Sequence, residues 1–146
     1  MNSLKYLIQF LIILFLFFIF KILGLKLSTI VSSKIFRYIG PFFRSKKLIE
    51  KNILKGIPNL SLLEVKEITN KMWENYGRIF SEYVFIKEFR NSKLNDNLQI
   101  TGQEILDKIR DEKEPVIFIS GHFNNFELMA MHIEKSGIDL ATIYRP

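Results

Sequence analysis

The sequence has no cysteine and only two histidines among its 146 residues. The lack of cysteine fits a body that faces the cytoplasm, although many secreted proteins also lack it. No G-x-S-x-G pattern occurs, which argues against a serine hydrolase. His122 and Glu127 have no convincing third ligand near them, so neither a metal site nor a cofactor is predicted. Apart from the apolar start, the chain has no low-complexity segment and no internal repeat.

Acidic residues are almost missing from the first third of the chain, where Glu50 is the single one before residue 56. The cations of this region are Lys5, Lys21, Lys26, Lys34, Arg37, Arg44, Lys46, Lys47, Lys51 and Lys55. A basic segment of this kind binds either nucleic acid or an anionic membrane surface. The neighbouring apolar segment decides between these two partners. We predict that the basic segment binds a membrane and not nucleic acid.

That segment is the apolar run at residues 6–20, "YLIQFLIILFLFFIF". From Tyr6 to Leu25 it has roughly the 20 residues that cross a hydrocarbon core, and Lys21 lies near one end, where its long stem reaches the headgroups. A cleaved signal peptide would have a shorter run and small residues at a cleavage site. An uncleaved signal-like segment or an interfacial helix remains the alternative to the predicted membrane anchor at residues 1–27.

The flanking charges predict the orientation of this anchor. Because most cations follow the apolar run, the positive-inside rule places residues 26 onward in the cytoplasm. We therefore expect a single-pass membrane protein whose body, residues 28–146, is cytoplasmic. The same cations suit anionic lipid headgroups.

Two amphipathic helical patterns follow the anchor. In residues 28–40, Ile30, Val31, Ile35, Phe36 and Ile39 have helical spacing, and two interpretations stay open: the helix lies on the membrane surface, or it packs on the protein's own core. A second pattern runs from residue 62 to about residue 89.

The start and the interior of the second pattern carry local signals. Ser61 and Glu64 have the spacing of a capping box. We expect Gly77 to mark a close contact within this helix or helix pair.

The last third predicts a sheet. Residues 115–120, "PVIFIS", resemble a buried strand, a helical pattern follows, and "DLATIY" at 139–144 is a second candidate strand. A further short strand is predicted just before a turn at Gly102. Strand, helix and strand in this order form the unit of a parallel sheet, so the predicted fold class is α/β with flanking helices.

His122 and Glu127 lie where the predicted strand gives way to a helix that we expect to begin near Asn124. With His122 outside the helix, its ring is able to fold back toward Glu127. A carboxylate at one ring nitrogen fixes the tautomer and makes the other nitrogen a better proton acceptor. Backbone N–H groups at the helix start suit a developing negative charge. Spacing alone leaves a purely structural role open for both residues.

The whole chain resembles the amino-terminal half of the bacterial lipid A biosynthesis acyltransferases, the lauroyl and myristoyl transferase family. The matching pieces, in order, are "KNILKGIPNLSLLEVKEITNKMWENYGRIFSEY", "VIFISGHFNNFEL" and "ATIYRP". The family motif is a histidine, four residues and an acidic residue, which here is His122 to Glu127. The resemblance implies a glycerophosphate-acyltransferase-like α/β fold.

By this resemblance, the enzyme transfers a fatty acyl chain from the thioester of acyl carrier protein to a hydroxyl of a lipid A precursor, in lipopolysaccharide biosynthesis. His122 is then the general base and Glu127 orients it. Asn124 and Asn125 are candidates to contact the glycolipid headgroup, although helix capping is the alternative role. Arg145 matches the arginine of the family's "YRP" and is a candidate phosphate ligand or a structural ion-pair partner.

Family members have roughly twice this length, so we expect the sequence to be incomplete and to have little or no transferase activity alone. Two other functions stay open. One is an acyltransferase of another membrane lipid, a phosphatidylinositol mannoside or a glycerophospholipid. The other is a non-catalytic membrane-associated fragment.

Overall fold

A computed structural model describes residues 2–143 of the chain, and this part is built from helices and irregular segments. The six α-helices of this part are α1 (Asn2–Ile39), α2 (Lys46–Gly56), α3 (Leu62–Glu82), α4 (Ile86–Arg90), α5 (Gln103–Glu112) and α6 (Glu127–Lys135). Short 3₁₀ turns lie at Gly40–Phe42, Tyr83–Phe85 and Asn95–Asn97. The described residues divide into two compact units, one up to Phe85 and one from Ile86 onward.

The predicted sheet is wrong, because no residue between 2 and 143 belongs to a strand. The three predicted strands are irregular chain. In the segment 116–120, Ile117 is 90% and Ile119 93% exposed, so these side chains are not packed as those of a buried strand are. A run of β-branched residues forms a strand only when a neighbouring strand supplies ladder hydrogen bonds, and no such bond joins 116–120 to 138–143. The α/β fold class is therefore replaced by a helical one for these residues.

Helix α1 contains the predicted anchor and continues well beyond it. Gly24 interrupts its helical geometry with a φ of 74° and a ψ of 168°, so α1 consists of two helical segments joined at this glycine. A left-handed backbone of this kind is favourable only for glycine. Within the described residues, the helix that is long and apolar enough to cross a membrane is Leu4–Phe42. The predicted division into residues 1–27 and 28–146 separates a membrane anchor from a cytoplasmic body and does not describe two units defined by their contacts. It stays a prediction.

Small residues let the second segment of α1 approach α3 closely. Ser28 and Ser32 on α1, four residues apart, are fully buried, and so is Ser81 on α3. Gly77 lies four residues before Ser81, and a Cβ atom added to it would collide with the carbonyl oxygen of Ser32 and lie 2.8 Å from the Cα of Ser33. A close contact at Gly77 was predicted within the helix or helix pair that contains it, but its partner is the backbone of α1. We call this contact the serine–glycine seam.

Three phenylalanines of α1 surround one phenylalanine of α3. The ring centroid of Phe80 lies 5.4 Å from that of Phe17, 6.3 Å from that of Phe20 and 5.2 Å from that of Phe36. Phe17 and Phe20 belong to the apolar run and Phe36 follows the glycine break. The aromatic cluster therefore ties both segments of α1 to the same helix.

The structure resolves the two interpretations of residues 28–40 in an unexpected way. The segment packs on the protein's own core, but mainly through Ser28, Ser32 and Ser33, which are buried. Ile30 and Val31 of the predicted apolar face remain exposed. The sequence pattern therefore predicted the helix correctly and its packing face in part, since Phe36 packs on Phe80 whereas the three buried serines were not predicted.

The capping box at the start of α3 is confirmed. The Glu64 amide donates to the Ser61 hydroxyl at 3.3 Å, and the Ser61 amide donates to Glu64 Oε2 at 2.8 Å. The Ser61 hydroxyl also donates to Glu64 Oε2 at 2.7 Å. This side-chain bond and the backbone bond lower the pKa of Glu64 below its usual value of 4.5. Such a contribution to stability is present above the pKa of the unfolded chain and is lost as the pH falls through the folded-state pKa.

Replacing Ser61 by alanine is expected to destabilise the start of α3 by about 1 kcal/mol at neutral pH. The pKa of Glu64 should rise part of the way to its usual value, because only the backbone donor at position 61 remains. Thermal unfolding and an NMR titration of the Glu64 carboxyl measure the two effects. Ser120→Ala is the control, since that hydroxyl caps no helix and donates to the neighbouring Gly121 carbonyl. An unchanged Glu64 pKa in Ser61→Ala would contradict the capping box.

The second unit is held together by α4, α5 and α6. Phe89 of α4 and Met131 and Ile133 of α6 are its buried apolar residues. Arg90 forms an ion pair with Glu134 at 2.7 Å. Lys135 Nζ donates to Ser92 Oγ at 2.8 Å, which fixes the end of α6 beside the loop after α4.

Candidate functional site

His122 lies at the centre of a tight turn in the irregular segment before α6. The Phe123 amide donates to the Gly121 carbonyl at 2.8 Å, the i to i+2 bond of a γ-turn. A Cβ atom at residue 121 would lie 2.8 Å from a carbon of the Phe123 ring, so a larger residue here would displace that exposed ring. The turn places the His122 side chain at the surface.

One aromatic neighbour orients the imidazole. The ring of Phe126 meets that of His122 edge-on, with centroids 4.2 Å apart and planes inclined by 63°. This contact leaves the His122 ring exposed to an incoming substrate. The sequence analysis missed Phe126, although its spacing of four residues from His122 is a common one for side-chain pairs.

Glu127 is the first residue of α6, and its side chain is exposed. The helix begins three residues later than predicted, and Phe126 rather than an asparagine occupies the N-cap position. Among the hydrogen bonds of the described residues, none joins His122 to Glu127. The carboxylate–imidazole pair stays a prediction, with both groups at the surface and five residues apart.

The start of α6 has fewer free backbone N–H groups to stabilise a negative charge than predicted. The Leu128 amide donates to the Asn125 carbonyl at 3.2 Å, and the Met129 amide donates to the Phe126 carbonyl at 3.1 Å. Two of the first three amides of the helix are therefore already engaged. Stabilisation of an oxyanion by these two groups would require the first turn of α6 to open.

The remaining predicted site residues are Asn124, Asn125 and Arg145. Asn124 is exposed and has a left-handed backbone with a φ of 48°, which asparagine tolerates better than most residues. Asn125 is half-buried. Arg145 lies outside the described residues.

The second histidine has a structural role in the second unit. His132 Nε2 lies 2.6 Å from Gln103 Oε1, and Gln103 Nε2 donates to Asp107 Oδ1 at 3.2 Å and to Ser136 Oγ at 3.3 Å. This network links α5 to α6. No group of three or more metal-ligating side chains occurs in the part of the chain that the structure describes.

The apolar residues that precede and follow His122 along the chain are unusually exposed. Ile117, Ile119 and Phe123 all lie within five residues of it, and each is more than four-fifths exposed. Their surface is what the hydrocarbon part of a lipid substrate would contact. An exposed proton acceptor flanked by apolar side chains is chemically suited to a reaction on an amphiphile.

A comparison with protein families identifies the class as acyltransferase. The model of the family described as "Bacterial lipid A biosynthesis acyltransferase" matches residues 1–146. The chain therefore belongs to the bacterial lipid A biosynthesis acyltransferase family, as its sequence motifs predicted. No curated protein and no solved structure matches the chain.

Proposed function

We propose that this chain takes part in transferring a fatty acyl group from acyl carrier protein to a hydroxyl of a lipid A precursor. The observation that carries this proposal is the family match over the full sequence. The acceptor is a hydroxyl on an acyl chain already attached to the glucosamine disaccharide, so the product is an acyloxyacyl group. The donor and the acceptor are both amphiphiles, which agrees with the exposed apolar residues beside His122.

His122 acts as the general base in this proposal. Its free ring nitrogen removes the hydroxyl proton while the acceptor oxygen attacks the thioester carbonyl. A C–O ester bond forms, the C–S bond breaks, and the proton held by the imidazole passes to the departing thiolate of the carrier. An alcohol is a poor nucleophile at neutral pH, and a positioned base supplies about 10²–10⁴-fold of rate. The exposed position of His122 gives both substrates access to it.

Glu127 orients the imidazole. Both side chains are exposed, and neither is held by another hydrogen bond among those described. Asn124 and Asn125 contact the polar headgroup of the acceptor, and Arg145 contacts a phosphate. The role of Arg145 follows the family's "YRP" motif, whereas the asparagines match no fixed residue of that motif.

The first segment of α1 anchors the protein in the inner membrane as a single pass, with the residues after it in the cytoplasm. Its large side chains from Leu4 to Phe15 are nearly all exposed, which is unfavourable in water over so long a helix and favourable in lipid. The basic residues that follow suit a cytoplasmic leaflet rich in anionic lipid. This surface also fits an acidic carrier protein.

Deleting the natural gene that encodes this chain tests the proposal. Mass spectrometry of the extracted lipids is expected to show lipid A that lacks one acyl chain, and a plasmid copy should restore it. Lipid A of unchanged mass together with another lipid that has lost an acyl chain would instead establish a different acceptor. If no lipid changes, the proposed activity is wrong.

A further inference from the structure

The first unit contains a cavity of about 160 Å³ that lies apart in sequence from His122 and Glu127. The turn after α1, the start of α2 and the first half of α3 line it, and it is partly open to solvent. Pro41, Ile49 and Trp73 form its apolar wall, and three cations, Arg44, Lys46 and Lys66, line it. A cavity with an apolar wall and several cations is suited to an anionic group attached to an apolar or neutral body.

The charges around this cavity are unbalanced. Glu50 is the single acidic residue of the lining, and it forms an ion pair with Lys46 at 3.6 Å. No ion pair with Arg44 or Lys66 occurs among the described residues. The lining thus carries an excess of positive charge that nothing in the described part of the unit neutralises.

The start of α2 adds to this excess of positive charge. The amide end of a helix carries partial positive charge, and acidic residues are favoured there. Helix α2 has no acidic residue in its first turn, begins with Lys46 and Lys47, and has no side-chain cap from Ser45. Arg44 lies directly before this helix end. An anion bound here would be attracted by Arg44 and by the helix end together.

The cavity wall also contains a buried indole. Trp73 is only 8% exposed, and its indole Nε1 is buried with no hydrogen-bond partner among the described residues. A buried N–H group without a partner is unfavourable and is normally satisfied. The ring is held in place by Gly40, where an added Cβ atom would collide with it. Trp73 is therefore a fixed part of the cavity wall with an unused donor.

We propose that this cavity binds the phosphate of an anionic lipid headgroup. Arg44 and Lys66 supply the charge, and Trp73 forms part of the apolar wall. The choice of a lipid over free phosphate rests on the residues next to Arg44: Phe42 is 89% and Phe43 75% exposed, and both lie on the same turn. Aromatic side chains beside a basic segment insert into the interface of an anionic bilayer. The proposal concerns only the first unit and holds whether or not His122 is catalytic.

The sequence supplies a built-in reporter for this site, because Trp73 is the only tryptophan. The full chain in zwitterionic detergent is titrated with dihexanoyl phosphatidylglycerol, and Trp73 fluorescence is recorded. We expect a saturable change. Lys66→Ala and Arg44→Ala should each weaken the half-saturation about fivefold, which corresponds to the contribution of one cation near a lipid surface. Lys66→Arg should restore it.

Lys55→Ala is the matched control, since it removes one cation from the same helical region but Lys55 does not line the cavity. Its titration should equal that of the unchanged chain, and circular dichroism verifies the fold of each variant. Three results would each overturn the proposal. These are an equal response to dihexanoyl phosphatidylcholine, the same response to inorganic phosphate at the same concentration, and cavity variants that titrate like the unchanged chain.

Discussion

Replacing His122 by alanine in the natural gene is expected to reduce acyl transfer by about 10²–10⁴-fold, the contribution of a positioned general base. Membranes from this strain are incubated with acyl carrier protein thioester and a lipid A precursor, and the product is quantified by mass spectrometry. Because His122 is exposed and touches Phe126, the substitution should leave the amount of protein in the membrane unchanged. Retention of full transfer would remove His122 from the mechanism.

Glu127→Gln is expected to cause a smaller loss, because the imidazole keeps its place and loses only the group that orients it. Glu104→Gln is the matched control. Glu104 is also an exposed acidic residue in the first turn of a short helix of the second unit, so both changes remove the same favourable interaction with a helix end. If the two glutamine variants are equally active, Glu127 has no role beyond that of any acidic residue in this position.

Enlarging Gly77 is expected to separate α1 from α3. Gly77→Ala should cost about 1–3 kcal/mol, the usual range for overpacking, and Gly77→Leu more. On an isolated helix the alanine change would instead stabilise by about 1 kcal/mol, so the sign of the effect reports the close contact. The collision is with the backbone of α1 at Ser32, which cannot rotate away as a side chain does. Thermal unfolding in detergent measures the effect.

Gly56→Ala is the control for this experiment, because nothing lies within 4 Å of a Cβ atom added there. It should leave the unfolding temperature unchanged or raise it slightly. An unfolding temperature that rises in Gly77→Ala as well would contradict the serine–glycine seam. Phe80 offers a second measurement, since separation of the helices should also disrupt the aromatic cluster.

Helices α1, α3 and α6 were predicted because their signals are local, whereas α2 was not predicted. The three-to-four spacing of apolar residues in α3 and the capping box at Ser61 depend only on residues within one or two turns. The sheet failed for the opposite reason: "VIFIS" has the composition of a buried strand, but a strand exists only through a partner elsewhere in the chain. Nothing within residues 116–120 records whether that partner is present.

The candidate site was predicted in part. The motif located His122 before a helix, and the structure places it at the surface of a turn just before α6. The helix start was placed three residues early, because asparagines favour capping in general and here one of them adopts a left-handed backbone. The serine–glycine seam and the cavity beside Trp73 were not predicted. Bulky apolar residues are the usual signal of a helix face that packs, and the seam lacks them. The cations of the cavity belong to a long basic segment and give no separate signal of a site.

Lys21 has a consequence for how α1 fits a bilayer. Its ammonium lies 5.1 Å from the centre of the Phe85 ring, so this charge is attached to the folded unit. Between Lys5 and Lys21, the apolar residues 6–20 extend about 22 Å at the rise of an α-helix, less than a hydrocarbon core of about 30 Å. A tilt of the helix would further shorten the distance that these residues span across the membrane. If the first segment of α1 spans a bilayer as proposed, so short an apolar stretch fits a thin membrane best, with the lysine stems reaching the headgroups at both faces.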